Sequence, residues 1–317
     1  MRKTNILVTG VGGDIAQGII KCLKETRDNL YLLGVDIDPY AAGGKMASKF
    51  ILAPAAAEEE KYLEFIKYTV NKYKVDYVFP STEPEIIVFH KHRDYFSERK
   101  IEIFINTPFI IDTFFDKYQT ALFLKRIGLA YPSTFLINEY NGQLRYPLII
   151  KPRISRISKQ IIKIANTEEF KFYKNRISEA IVQEYLGDED EEYTTCVFSD
   201  GRRRHSITFK RRLGYGGLSK KVELVINKEI NALADAIAKN CNLRGSINIQ
   251  SRKTPRGFVP FEINPRFSST VYFRHCFGFQ DVKWWLELFE KKPVTFPSRY
   301  KKGIGVRMLD EVFFDAA

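Results

Sequence analysis

Residues 245–267 read GSINIQSRKTPRGFVPFEINPRF, a pattern that predicts two antiparallel β-strands joined by a turn near residue 256. Successive side chains of a strand point to opposite faces, so Glu262 and Asn264 share one face. With the turn at that position, Gln250 stands opposite Glu262 on the same face. The hairpin therefore predicts three oxygen-bearing side chains that converge on one side of a sheet.

A carboxylate flanked by amide oxygens suits a hard cation such as Mg²⁺, which keeps some water and takes further oxygens from phosphate. Alternating polar residues also occur where one face of an antiparallel sheet points to solvent, and spacing alone leaves both interpretations open. Cationic neighbours favour the metal site. Arg266 follows the second strand directly, and Lys151 lies in the apolar run LIIKP at residues 148–152.

The first hundred residues alternate short apolar runs with amphipathic stretches, from ILVTG at residues 6–10 to VDYVFPS at residues 75–81. This rhythm predicts parallel β/α units. A glycine-rich turn follows the first strand and acidic residues end the second, as in a dinucleotide-binding fold that takes NAD. Tight strand-to-helix turns need such glycines without any phosphate, so both interpretations stay open. The residues concerned are Gly10, Gly12, Gly13, Gly18, Asp36 and Asp38.

Composition limits the class of protein. The chain has 317 residues, 44% of them hydrophobic, which is enough for a core in roughly two domains and excludes a disordered chain. The formal net charge of +12 favours anionic partners. The cysteines have no metal-chelating spacing, and no apolar run is long enough for a signal peptide or membrane span. We therefore expect a cytoplasmic protein with no membrane partner, and the absence of nucleic-acid motifs argues against nucleic acid.

Taken in order along the chain, the motifs resemble the ATP-grasp superfamily. Within it, they are similar to the ATP-binding halves of the carbamoyl-phosphate synthetase large subunit and to stand-alone carboxylate–amine ligases. A glutamine followed by E-x-N-P-R after a hairpin is the most specific motif. The segments at 6–13 (ILVTGVGG), 34–54 (GVDIDPYAAGGKMASKFILAP) and 75–85 (VDYVFPSTEPE) resemble the family's N-terminal Rossmann-like domain, which normally binds no NAD.

The resemblance covers nearly the whole chain and implies its fold class. An α/β architecture is expected, with an α+β arrangement in the C-terminal half, as in the ATP-grasp fold preceded by a Rossmann-like domain. The implied domains are residues 1–108 for the Rossmann-like part, 109–183 for the small ATP-grasp subdomain, and 184–317 for the C-terminal subdomain with the metal site.

The resemblance also implies the cofactors ATP and Mg²⁺ or Mn²⁺. Gln250, Glu262 and Asn264 would hold the metal, and Arg266 would contact the transferred phosphoryl group. The residues implied to hold ATP are Lys117 and Lys151 at the phosphates, Glu184, Tyr185 and Leu186 in the hinge at the adenine, and Glu192 at the ribose hydroxyls.

One segment departs from the family pattern. A glycine-rich flap usually follows the strand that ends in IIKP, yet residues 153–160 read RISRISKQ and contain no glycine. Side chains keep a backbone from approaching phosphates as closely as glycine allows. Two interpretations follow: Arg153, Arg156 and Lys159 supply cations in place of backbone amides, or the chain binds nucleotide without catalysing a reaction.

A basic segment at residues 199–221 predicts where the anionic substrate binds. It carries eight lysine and arginine residues and one acid. Arg212 and Lys220 are predicted catalytic residues, with Lys210 as a further candidate, and Gly214, Gly216 and Gly217 would let the loop move as a lid. The run Arg202–Arg204 beside a predicted turn is interpreted as a solvated surface.

The family reaction is attack of a substrate carboxylate on the γ-phosphate of ATP, followed by capture of the acyl phosphate by an amine. The expected partners are therefore a small-molecule carboxylate and a small-molecule amine, and a homodimer is an open alternative to a monomer. An NAD-dependent oxidoreductase that uses the N-terminal glycine turn is the alternative function.

Overall fold

The computed structural model describes residues 3–154, 161–187, 189–214, 217–308 and 310–314, without the side chain of Glu189. The interpretations that concern Arg156, Lys159 and Gly216 lie outside these residues. The described chain divides into two compact units, residues 1–106 with 266–317 and residues 107–265. The C-terminal segment from residue 266 thus groups with the N-terminal residues, whereas the sequence analysis placed it with residues 184–265.

The first unit contains a parallel sheet in the order β3-β2-β1-β4-β5. Helices that follow the strands cover it, so the predicted alternation of strands and helices is confirmed. The strands are β1 (Thr4–Thr9), β2 (Leu30–Asp36), β3 (Lys49–Leu52), β4 (Tyr77–Phe79) and β5 (Glu102–Ile103). The helices are α1 (Asp14–Thr26), α2 (Glu59–Lys72), α3 (Glu83–Lys91) and α4 (Arg93–Glu98), with a short 3₁₀ helix at Ala42–Met46.

The C-terminal segment of this unit packs against helix α1. It contains α9 (Val271–Cys276), α10 (Asp281–Phe289) and the short strand β15 (Ile304–Val306). Gly18 of α1 faces Val271, and a Cβ atom at Gly18 would lie 2.4 Å from the Val271 side chain. This close approach explains a glycine inside a helix, where it otherwise costs stability. Helices α9 and α10 therefore pack as part of the first unit.

The second unit contains two antiparallel sheets. The larger has strands in the order β14-β13-β10-β11-β12 and the smaller in the order β6-β9-β7-β8. The α+β arrangement predicted for the C-terminal half is confirmed within this unit. The smaller sheet consists of β6 (Thr134–Leu136), β7 (Leu148–Pro152), β8 (Ile162–Ile164) and β9 (Ala180–Glu184), and the larger of β10 (Glu192–Asp200), β11 (Arg204–Leu213), β12 (Ser219–Val225), β13 (Arg244–Thr254) and β14 (Gly257–Asn264).

One face of the larger sheet is covered by helices. The helices of this unit are α5 (Pro108–Phe115), α6 (Lys117–Arg126), α7 (Thr167–Lys174) and α8 (Lys228–Asn240). Side chains of α5, α6 and α8 form one core with Val197, Ile249 and Ile263 from the strands. Because side chains alternate, the residues between these, including Gln250 and Glu262, point to the other face. Among the described residues, no helix is long and apolar enough to cross a membrane.

Candidate functional site

The hairpin of β13 and β14 has the predicted register. Gln250 pairs with Glu262, and Asn248 pairs with Asn264, so all four side chains share the face that the helices leave uncovered. Asn264 Nδ2 donates to Glu262 Oε1 at 2.9 Å. The prediction that Gln250 stands opposite Glu262 is confirmed. The register shifts immediately after Gln250, where Phe261 becomes an extra residue in β14.

Lys151 on β7 of the smaller sheet is 4% exposed, and charged residues of the larger sheet lie near its ammonium group. The pKa of its ammonium group is lowered from 10.5 to about 8, mainly by burial, and the positive charges of Lys117 and Arg252 contribute to this decrease. The negative charge of Glu262 partly offsets this effect. The predicted phosphate ligands Lys117 and Lys151 thus lie near the predicted metal ligand Glu262.

Lys117 is the first residue of α6, and the helix start is tied to the segment after β7. Asp116 caps the helix by accepting from the backbone amides of Tyr118 and Gln119 at 2.9 and 3.1 Å. Arg153 Nε donates to Asp116 Oδ2 at 2.8 Å, and the Lys117 amide donates to the Arg153 carbonyl at 3.0 Å. Arg153, a candidate phosphate cation, is therefore paired with the helix cap.

The ring of Phe261, the extra residue of β14, lies close to two cations. Its ring centroid lies 5.9 Å from Lys151 Nζ and 5.3 Å from Arg252 Cζ. Both distances are within the range of cation–π attraction. Phe261 and Arg252 are not among the site residues predicted from the sequence. Arg252 follows Gln250 by two positions, so strand alternation could have identified it.

The predicted adenine hinge leaves β9 at Glu184. The Glu184 amide donates to the Ser133 carbonyl at 2.9 Å, and its carboxylate accepts from the Ser133 amide at 3.1 Å and from Arg256 at 2.6 Å. Lys163 Nζ lies 4.1 Å from the ring centroid of Tyr185, and Leu186 is half-buried. Because the Glu184 side chain is occupied, adenine contacts in the hinge would come from backbone groups. The role of Glu184, Tyr185 and Leu186 stays a prediction.

Glu192, the predicted ribose ligand, is buried at the start of β10 between two arginines. Its Oε1 atom accepts from Arg211 Nε at 2.9 Å and from Arg211 Nη2, and its Oε2 atom accepts from Arg252 Nη2 at 3.0 Å. Both carboxylate oxygens are therefore engaged within the protein. A ribose hydroxyl would share Glu192 with two guanidinium groups, and this role stays a prediction.

The candidate cations of the basic segment lie on β11 and β12 of the larger sheet. Lys210 pairs with Tyr193 and Arg212 with Lys221, which puts Lys210 and Arg212 on the face that α8 covers elsewhere. Strand alternation puts Arg211 on the opposite face, together with Glu262, whereas the pairing of β11 with β12 shifts at Lys220, so alternation does not assign a face to Lys220. Lys210 Nζ donates to Glu191 at 2.5 Å. The catalytic roles of Arg212 and Lys220 stay predictions.

Arg266, predicted to contact the transferred phosphoryl group, lies in the first unit. Its Nη2 atom donates to Glu83 Oε1 at 3.0 Å, and its Nη1 atom donates to the Phe267 carbonyl at 3.0 Å. Its Nε atom is buried without a hydrogen-bond partner in the described part of the chain. The phosphoryl contact of Arg266 stays a prediction.

The glycine turn after β1 has no backbone amide left for a pyrophosphate over residues 11–13. The amide of Val11 donates to the Val35 carbonyl at 3.2 Å, that of Gly12 to Asp36 Oδ2 at 2.7 Å, and that of Gly13 to the Gly10 carbonyl at 3.0 Å. Dinucleotide-binding turns use such amides on phosphate. The geometry therefore gives the NAD interpretation no support.

The donors on the open face fit a divalent metal that is shared with a nucleotide. Gln250, Glu262 and Asn264 offer one carboxylate and two amide oxygens, which suits Mg²⁺ with remaining ligands from phosphate and water. Within residues 3–314 as far as they are described, no group of three His, Cys, Asp or Glu side chains could hold a metal alone.

Comparisons with known proteins agree with this geometry. Residues 176–312 match a family model described as ATP-grasp in the biosynthetic pathway with Ter operon, and residues 6–104 match a PylC-like N-terminal domain. A search of curated proteins found no match.

Solved structures with low sequence identity share the fold. An ADP complex of N5-carboxyaminoimidazole ribonucleotide synthetase is 14% identical with a TM-score of 0.77, over 98% of this chain and 82% of that one. The biotin carboxylase domain of Hydrogenobacter thermophilus 2-oxoglutarate carboxylase, with MgADP and bicarbonate, is 16% identical with a TM-score of 0.75, over 96% and 74%. L-amino acid ligase from Bacillus licheniformis is 13% identical with a TM-score of 0.71, over 92% and 75%. Residues 176–312 thus match an ATP-grasp family model, and nearly the whole chain shares the fold of these solved structures.

Proposed function

We propose that this protein is a Mg²⁺- and ATP-dependent carboxylate–amine ligase that works through an acyl phosphate and releases ADP and phosphate. The single observation that carries the proposal is the grouping of Lys117 and Lys151 with Glu262, on the face that also presents Gln250 and Asn264. Among the similar structures, an L-amino acid ligase and a synthetase carry ligase names, which agrees with this class of reaction.

The chemistry requires that two anions meet. A substrate carboxylate and a γ-phosphate oxygen about 4 Å apart repel by roughly 4 kcal/mol at an effective dielectric constant of 20. In the proposal, Gln250, Glu262 and Asn264 hold Mg²⁺, which when bound neutralises phosphate charge. Lys117 and Lys151 bind and orient the phosphates, and their charge lowers the same repulsion. The amine then attacks the activated carbonyl carbon, and phosphate leaves.

The proposal is tested by ADP release. Purified protein with Mg²⁺ and ATP is screened against pairs of small carboxylic acids and amines, including amino acids and amino sugars. Glu262→Gln should abolish ADP release with an active pair, because it removes the one carboxylate of the metal set, while the melting temperature stays unchanged. Glu168→Gln on the exposed surface of α7 is the matched control. Full ADP release by Glu262→Gln would contradict the metal assignment.

A nucleotide-binding protein without catalysis is the second candidate, because residues 153–160 contain no glycine. Such a protein would bind Mg²⁺-ATP, as seen by a rise in melting temperature, and would release no ADP with any pair. Stabilisation by NAD without stabilisation by Mg²⁺-ATP would instead favour the oxidoreductase alternative.

A further inference from the structure

A buried cluster of three charged side chains lies on the face of the larger sheet that helices α5, α6 and α8 do not cover. Glu192 is 9% exposed as a side chain, and Arg211 and Arg252 are 8% and 13% exposed. Arg211 directs two nitrogens at one oxygen of Glu192, and Arg252 directs one nitrogen at the other oxygen. We call these residues the Arg–Glu–Arg cluster. Glu192 acts in it as a shared counter-ion that orients two guanidinium groups.

The Arg–Glu–Arg cluster carries an excess of one positive charge. Two guanidinium groups face one carboxylate, and removing an unbalanced charge from water is costly. Arg252 also donates Nη1 to the Gly187 carbonyl at 3.2 Å, while its Nε atom is buried without a hydrogen-bond partner in the described chain. Arg211 Nη1 likewise makes no hydrogen bond to any described residue. The cluster is therefore set up to receive an anion from outside the protein.

The position of the cluster links it to the proposed ligase site. Arg252 follows Gln250 by two positions on β13, and it shares the ring of Phe261 with Lys151. Strand alternation also puts Arg211 on the same face of the larger sheet as Glu262.

The proposed reaction brings two anions to the site, and Lys117 and Lys151 beside Glu262 already account for the phosphates. The second anion is the substrate carboxylate, and a planar guanidinium matches the geometry of a carboxylate better than an ammonium group does. Resting on the proposed function, we infer that Arg211 binds the carboxylate of the acid substrate and that Glu192 and Arg252 position it. Arg211, rather than Arg212, is then the anion-binding residue of the basic segment.

The test measures the affinity for the acid separately from that for the nucleotide. Calorimetric titration gives the Kd of Mg²⁺-AMPPNP, a non-hydrolysable ATP analogue, and then the Kd of each of a panel of small carboxylic and amino acids for the nucleotide-bound protein. Arg211→Gln should raise the Kd of the acid that binds by about tenfold to a hundredfold, as expected for a lost charge-assisted contact. It should leave the Kd of Mg²⁺-AMPPNP within about twofold.

Four further variants sharpen the result. Arg211→Lys keeps the charge without the planar donors and should also weaken binding of the acid. Glu192→Gln, which releases both guanidinium groups, should weaken binding of the acid less than Arg211→Gln does. Arg202→Gln, an exposed arginine before β11, is the matched control and should change neither Kd. Arg212→Gln tests the choice made from the sequence.

The results that would contradict the inference can be told apart from one another. A parallel loss of nucleotide and acid affinity in Arg211→Gln would assign the cluster to the triphosphate. Loss of acid affinity in Arg212→Gln alone, or no acid binding to the wild-type protein, would also overturn the inference. The proposed function is judged separately, by ADP release: a wild-type protein that turns over an acid whose Kd is unchanged in Arg211→Gln keeps the function and refutes the inference.

Discussion

Lys151 should take up a proton when nucleotide binds. Its pKa is lowered to about 8 in the nucleotide-free protein, chiefly because the ammonium group is buried. The difference from 10.5 corresponds to about 3 kcal/mol that disfavours the charged form. Phosphate oxygens beside the lysine favour the charged form and return the pKa toward its usual value. Binding and protonation are therefore linked.

The size and sign of the linkage follow from the two pKa values. At pH 6.5 Lys151 is charged in both states, so proton uptake is below about 0.1 per nucleotide. At pH 8 half of the free protein is neutral at Lys151 and uptake is about 0.5, and at pH 9 it is about 0.9. The Kd of the nucleotide should rise about tenfold from pH 7 to pH 9. In the nucleotide-free protein, the contribution of Lys151 to the free energy of unfolding increases as the pH rises from about 8 to 10.5, because the unfolded chain then binds more protons than the folded chain.

Calorimetric titration with Mg²⁺-ADP in buffers of different ionisation enthalpy measures this uptake directly. Lys151→Arg is the control, since arginine keeps the charge and does not titrate in this range. Subtracting the proton uptake measured with this variant removes the contributions of the nucleotide and of other titrating groups. Equal proton uptake by wild type and Lys151→Arg at pH 8 and pH 9 would refute the placement of Lys151 at the phosphates.

Three stability predictions concern a tightly packed glycine, a helix cap and a buried ion pair, and each is measured by chemical unfolding. Gly43→Ala places a Cβ atom 1.9 Å from the Val11 carbonyl oxygen, so it should destabilise the protein by at least about 2 kcal/mol. Asp116→Ala removes the cap of α6 and should cost about 1 to 2 kcal/mol, whereas Asp116→Asn keeps most of the stability. Asp281→Leu leaves the buried Arg274 without its carboxylate partner and should cost about 3 to 5 kcal/mol, most of which Arg274→Met in the same chain restores. Equal stability of the single and double variants would contradict that explanation.

The parallel sheet and the β13–β14 hairpin could be predicted from the sequence because both are set by local patterns. Alternating apolar runs mark the strands of the first unit, and polar alternation marks the two strands of the hairpin. The pairing of Gln250 with Glu262 also depends on the extra residue Phe261, because the register beside the turn would otherwise put Gln250 opposite Phe261. The bulge at Phe261 had no comparable signal. It depends on how the hairpin accommodates one extra residue, which strand propensity does not report.

The grouping of residues 266–317 with the first unit could not be read from the chain order. It depends on helix α9 packing against α1, about 250 residues apart in sequence. Gly18 was interpreted as part of a phosphate-binding turn, yet its requirement for glycine comes from Val271. A long-range contact, rather than a local motif, therefore explains this glycine.

The choice between Arg211 and Arg212 shows why a basic segment locates a site only coarsely. Neighbouring residues of a strand point to opposite faces, so the two arginines are equivalent in composition and opposite in direction. Their faces are decided by the pairing of β11 with β10, which joins Tyr193 to Lys210 and thereby puts Arg211 beside Glu192. A shift of one residue in that pairing would exchange their roles. Register, rather than charge, selects the arginine that can serve the ligase face.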